Sequence, residues 1–322
     1  MRRMRVFIIL GLFLLAIPQV NAQLPPGSRI AFWDSVARAI LLTQENGNDL
    51  LNLTAKIKGY PTEFSPSPDG RRIAVGVWKG LVEPPGNIYV VNVDGTQPIN
   101  LTQQQAPVVD QRPAWSPDGR QIAFISNRRN FGDLFVMNAD GSNVQNLTAD
   151  AQPLIVGWSP PNWSPDSQQI VFTVAVLKRA FILFTINRDG TGLKELLVHA
   201  THPAWSPDGR LVAFASNRGG GFPDIYRLDL QTNKIKQLTK TGGQGIQNSE
   251  PSWVPDGSGL LFTSARDRGA VWYMDADGKS QKPIWRDGVF RSIFSLHILP
   301  NPPEAVSPQK KYSTTWGTIK DR

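Results

Sequence analysis

The 322-residue chain contains no cysteine. That excludes disulfides, thiolate metal sites, cysteine nucleophiles and a lipid-modified N-terminal cysteine. Histidine is scarce: His199, His202 and His297 are the three in the chain. In extended backbone, His199 and His202 point to opposite faces, and no third ligand accompanies them, so no metal site is expected. A Gly-x-Ser-x-Gly elbow, the usual seat of a serine nucleophile, is also missing. The residues therefore nominate no catalytic group and no cofactor. Lys plus Arg number 34 against 26 acidic residues, a formal charge of +8, but no basic stripe or interleaving of aromatic and basic residues accompanies the excess. Nucleic acid is not an expected partner. No apolar run is long enough to span a bilayer, which takes about 20 residues.

The longest such run, Val6 to Ile17, follows Arg2, Arg3 and Arg5 and precedes Pro18 and Val20-Asn21-Ala22. A basic start, a short apolar stretch and a small-residue exit make a secretory signal peptide over residues 1–22. The mature protein is expected to begin near Gln23, to keep no membrane span, and to reside in the periplasm or outside the cell. After Leu299 the chain turns Pro-rich and basic, and residues 300–322 read as a tail that builds no core.

Between these ends one phrase recurs: Pro68-Asp69-Gly70, Trp115-Ser116-Pro117-Asp118-Gly119, Trp163-Ser164-Pro165-Asp166, Trp205-Ser206-Pro207-Asp208-Gly209 and Trp253-Val254-Pro255-Asp256-Gly257. Its spacing of about 40–50 residues belongs to a repeated supersecondary unit. Pro presets the first corner of a turn and Gly accepts a positive φ later in it, so each copy links two antiparallel strands. The second strand alternates, as in Gln121-Ile122-Ala123-Phe124-Ile125-Ser126. A third, such as Asp133 to Asn138, ends in an Asp-Gly turn. A fourth closes the unit at Asn52-Leu53-Thr54, Asn100-Leu101-Thr102 or Asn146-Leu147-Thr148. These last match a glycosylation acceptor, but their fixed place in the repeat marks them as the closing strand.

These residues resemble the TolB-type (WD40-like PD-repeat) β-propeller family over roughly residues 28 to 290. The resemblance implies an all-β fold, a six-bladed β-propeller of four-stranded antiparallel blades occupying residues 23–299. The N-terminal unit, from Ser28 to Thr54, lacks an inner strand, and Val289 to Leu296 forms a strand without a blade. Joining the two closes the ring through its own N- and C-terminal strands and leaves no open edge.

Within the repeat, the Trp at 115, 163, 205 and 253 is expected to pack neighbouring blades together. The Asp of each Pro-Asp-Gly is expected to hold its own turn. The residue before each Pro-x-Trp varies instead: Tyr60, Arg112, Pro160, His202 and Glu250. The resemblance places the first strand of each blade along a central channel. Tyr60, Arg112, His202 and Glu250 are accordingly the candidate ligand-binding residues at its mouth. The expected function is a monomeric binding module for a protein or peptide partner. The alternative is a propeller lyase or glycoside hydrolase acting at the same mouth.

Overall fold

The structure, a computed structural model, describes residues 29–34, 37–44, 50–80, 84–129, 132–151, 155–156, 159–175, 181–266, 270–285 and 296–299. The expected signal peptide, the expected tail and the 289–295 part of the expected closing strand lie outside them. The described residues form six antiparallel sheets, each one blade, with one short 3-10 turn at Gly242–Gln244. Blade 3 shows the unit plainly. Its inner strand Asp110–Trp115 turns into Gln121–Ser126, then Asp133–Asn138, and the short outer strand Gln145–Asn146 ends it.

Each turn is built by the residues that announce it. Ser116 donates from Oγ to Asp118 Oδ1 at 2.6 Å, the Arg120 amide donates to the same oxygen at 3.0 Å, and Gly119 takes φ 72°. The same Asp-centred arrangement recurs at Asp69 and Asp166. At Asp166 the Ser164 hydroxyl and the Gln168 amide hold the carboxyl below its ordinary range. The Asn-Leu-Thr element is equally local. Asn146 Oδ1 accepts from the Thr148 amide at 2.9 Å, and Thr148 Oγ1 accepts from the Leu134 amide at 3.1 Å. Thr54, Thr102 and Thr239 receive the Ile40, Ile88 and Ile225 amides in the same way. Each of these Thr residues thus satisfies a backbone donor where the outer strand stops.

The core lies between blades. One cluster joins Ala123, Ile125, Leu134 and Leu147 of blade 3 to Trp163, Ile170, Phe172 and Val174 of blade 4. Trp115 and Trp205 occupy the matching places between blades 2 and 3 and between blades 4 and 5. Trp163 Nε1 also reaches across to Ala114 O at 3.0 Å, and Trp253 Nε1 to Ala204 O at 3.1 Å. The second strand of five blades contributes a fully buried Phe: 32, 124, 172, 214 and 262. Blade 2 has Val75 at that place and instead buries Phe64 from its inner strand.

The ring closes as the sequence demands, a few residues further along. Leu296–Leu299 is the inner strand of blade 1, antiparallel to Arg29–Asp34. Arg29 pairs with Leu299 and Phe32 with Leu296. The last described strand thus supplies the one that the first unit lacks. Among the described residues no helix is long and apolar enough to cross a membrane.

Candidate binding cavity on the propeller axis

Four inner strands carry the same irregularity. In blade 3 the register shifts between Gln111 and Ala114, so that Arg112 and Pro113 stand opposite the single residue Phe124. His202-Pro203 and Glu250-Pro251 repeat this bulge in blades 5 and 6, and Thr62-Glu63 does so in blade 2. A bulge adds one residue and re-aims its side chain. Proline suits it because it has no amide to leave unpaired, and it keeps the preceding residue out of the helical region. Arg112, His202 and Glu250 all take positive φ, at 55°, 52° and 54°. Non-glycine residues rarely adopt that conformation, and three at equivalent places on the inner strands of blades 3, 5 and 6 mark a built feature.

These bulges surround a cavity of about 520 Å³ on the propeller axis. Every blade contributes to its wall: Glu63, Arg112, Pro160, His202, Glu250 and His297. In blade 4 the inner strand is split into Ile155–Val156 and Asn162–Trp163, and Pro160 and Pro161 face the cavity between them. Three of the four residues nominated from sequence therefore meet here, together with Pro160. Tyr60 does not. It begins the inner strand of blade 2 opposite Trp78, with the Arg38 guanidinium 5.8 Å above its ring. Counting back from Pro-x-Trp misleads in that blade, where Pro66 replaces the Trp. Counting back from Ser67-Pro68-Asp69 instead aligns Glu63 with Arg112. His297 was also missed, because only ring closure brings its strand to the axis.

Arg112 Nε lies 3.3 Å from Glu63 Oε1, an ion pair linking blades 2 and 3 across the wall. His202 Nδ1 is 3.1 Å from Thr201 Oγ1, and its backbone amide donates to Ser159 Oγ at 3.2 Å. The His297 ring sits edge-on to Phe64 with centroids 5.0 Å apart. Both imidazoles are pushed down to about 4. Desolvation inside the disc is the main cause for each; the Arg112 charge adds to it at His202, and a hydrogen bond with the Phe64 backbone opposes it at His297. Both residues are half-buried and line the cavity. At neutral pH the wall thus presents two carboxylates, one guanidinium and two uncharged imidazoles. Among the described residues no group of three or more His, Asp and Glu is placed to hold a metal ion.

A disc whose blades share a scaffold, and whose axial wall differs from blade to blade, is a β-propeller with its candidate site at the centre. The TolB beta propeller domain model matches residues 25–194 and 132–293, and the chain belongs to that family. Among curated relatives, the uncharacterized peptidase YuxL of Bacillus subtilis is 31% identical over 129 residues, 38% of this chain and 19% of that protein. The Tol-Pal system protein TolB of Alcanivorax borkumensis is 40% identical over 65 residues, 20% of this chain and 14% of that protein. The matched region is thus a small part of each relative's length. The crystal structure of TolB from Acinetobacter baumannii superposes with a TM-score of 0.68 at 17% identity, covering 85% of this chain and 67% of that one. At that identity the likeness is one of fold.

Proposed function

We propose that this protein is an exported binding module that takes a protein or peptide partner at the axial cavity, in the cell envelope or outside the cell. The observation that carries this reading is the contrast within each blade. Trp, Asp-Gly and Asn-Leu-Thr repeat because they hold the fold. Glu63, Arg112, Pro160, His202, Glu250 and His297 differ from blade to blade yet converge on one space. A cavity of this size, preformed and lined by a few polar groups among apolar ones, has the character of a recognition site. Membership of the TolB propeller family supports a protein or peptide as the occupant, and the basic start, short apolar run and small-residue exit within residues 1–22 support export. In the mature protein Gln23 stands at or near the N-terminus.

The test is a pull-down from envelope extract with the mature protein as bait, beside a His202→Gln/Glu250→Gln variant of equal melting temperature. A partner retained by the first and lost by the second supports the reading. Equal retention by both removes the cavity from it. A lyase or glycoside hydrolase at the same place has in its favour the two carboxylates, Glu63 and Glu250, on one wall. Turnover of an acidic or neutral oligosaccharide by the purified protein, abolished by Glu250→Gln, is the result that establishes that reading instead.

A further inference from the structure

Building on the peptide-binding reading above, we infer that the group the axial cavity takes from its partner is a cation, the ammonium of a free N-terminus or of a lysine side chain. The charged and titratable groups on the wall are Glu63, Glu250, Arg112, His202 and His297. Arg112 already lies 3.3 Å from Glu63. With both imidazoles neutral near pH 7, the two carboxylates outnumber the single guanidinium, and the wall carries one net negative charge. In a space walled by Phe64, Trp115, Trp163 and prolines, that charge is screened far less than on the surface. A neutral imidazole also offers one ring nitrogen as an acceptor. The carboxylates and imidazoles thus add acceptors to the hydroxyl and amide side chains of the wall, and they suit a ligand group that only donates. An ammonium has three donors and no acceptor.

The geometry is preorganised for this. The bulge, the positive φ and the following Pro251 fix the backbone at Glu250, so the direction in which its side chain leaves the strand is set in advance. A peptide carboxylate is disfavoured in the same space. It would meet two carboxylates, and the one guanidinium facing the cavity is shared with Glu63.

The experiment uses the full mature chain, immobilised at about pH 7.5, and random six-residue peptide mixtures in three forms. One form has free amino termini, one is N-acetylated, and one is N-acetylated and free of lysine. Mass spectrometry reads what is retained. The inference expects the third form to be lost while the first, the second or both are retained. Retention of the acetylated, lysine-containing form marks the lysine side chain as the source. Its loss marks the N-terminus. Glu250→Gln is expected to weaken binding about tenfold, the scale of a lost hydrogen bond to a charged group. Arg112→Gln makes the wall more negative and is expected to tighten binding, melting temperatures being compared for both variants. Equal retention of all three forms, or loss of binding in a stable Arg112→Gln variant, leaves the peptide reading standing and overturns the cation. Retention of none overturns both.

Discussion

His297 and Ala31 are register partners across the seam of the ring, joining the last described strand of the chain to the first. The pairing gives blade 1 its inner strand and places the His297 ring against Phe64 of blade 2. Ending the chain after Trp285 removes that strand and exposes the edge of Arg29–Asp34. Such a truncation is expected to lose cooperative thermal unfolding or to aggregate. Ending it after Asn301 instead is expected to leave the melting temperature within a few degrees. Calorimetry on the two truncations checks both expectations, and a large loss in the second assigns the tail a place in the core.

Trp163 tests whether the repeated indoles are scaffold. It is buried, packs between blades 3 and 4, and donates to Ala114 O. Trp163→Ala is expected to cost about 3–5 kcal/mol in denaturant unfolding, the range for emptying a buried aromatic site. Trp163→Phe keeps most of the packing and loses the hydrogen bond, at about 1 kcal/mol. Trp163 also borders the cavity.

The outer-strand threonines offer a second scaffold test away from the cavity. Thr148 is buried and its hydroxyl is the acceptor for the Leu134 amide. Thr148→Val preserves shape and orphans that donor, with an expected loss of about 1–3 kcal/mol. Ligand binding is expected to be unaffected. Denaturant melts and a binding isotherm on the same sample separate the two.

The imidazoles make stability depend on pH in a defined window. His202 and His297 are pushed down to about 4, whereas an unfolded histidine titrates near 6.5. Between those values the unfolded chain takes up protons that the folded chain refuses, so stability rises with pH. It is expected to be fully present above about pH 6.5 and to fall as pH drops toward about 4. Burial pushes the Asp110 carboxyl up, against the hydrogen bonds and the Arg128 charge that lower it. That group opposes the trend, because its folded form holds a proton that the unfolded form releases. A His202→Gln/His297→Gln variant isolates the histidine part: its melting temperature is expected to vary less than the parent's between pH 7 and pH 4.5. Equal slopes would show that neither ring is kept neutral by the fold.

Much of this architecture is legible along the chain because its chemistry is local. The turn at Ser116-Pro117-Asp118-Gly119 is closed by its own hydroxyl, carboxylate and glycine within five residues, and Asn146-Leu147-Thr148 satisfies the adjoining strand. Copies of such units at regular spacing, each with one apolar face too many, have to stack, and the need to pair the edge of the first unit brings the ends together. The inward position of Arg112, His202 and Glu250 follows from the same count.

The composition of the cavity is another matter. Glu63 is hidden by an irregular repeat, in which Pro66 replaces Trp and Phe64 replaces Pro. His297 reaches the axis only through the pairing of Ile298 with Ile30 and its neighbours. The Arg112–Glu63 ion pair joins two blades, and the depressed imidazoles depend on how completely six inner strands exclude water. Turns and strand ends are settled by residues a few positions apart, so the chain alone determined them. The charge balance of the wall is settled by side chains from different blades that meet at the axis, so tertiary packing alone decided it.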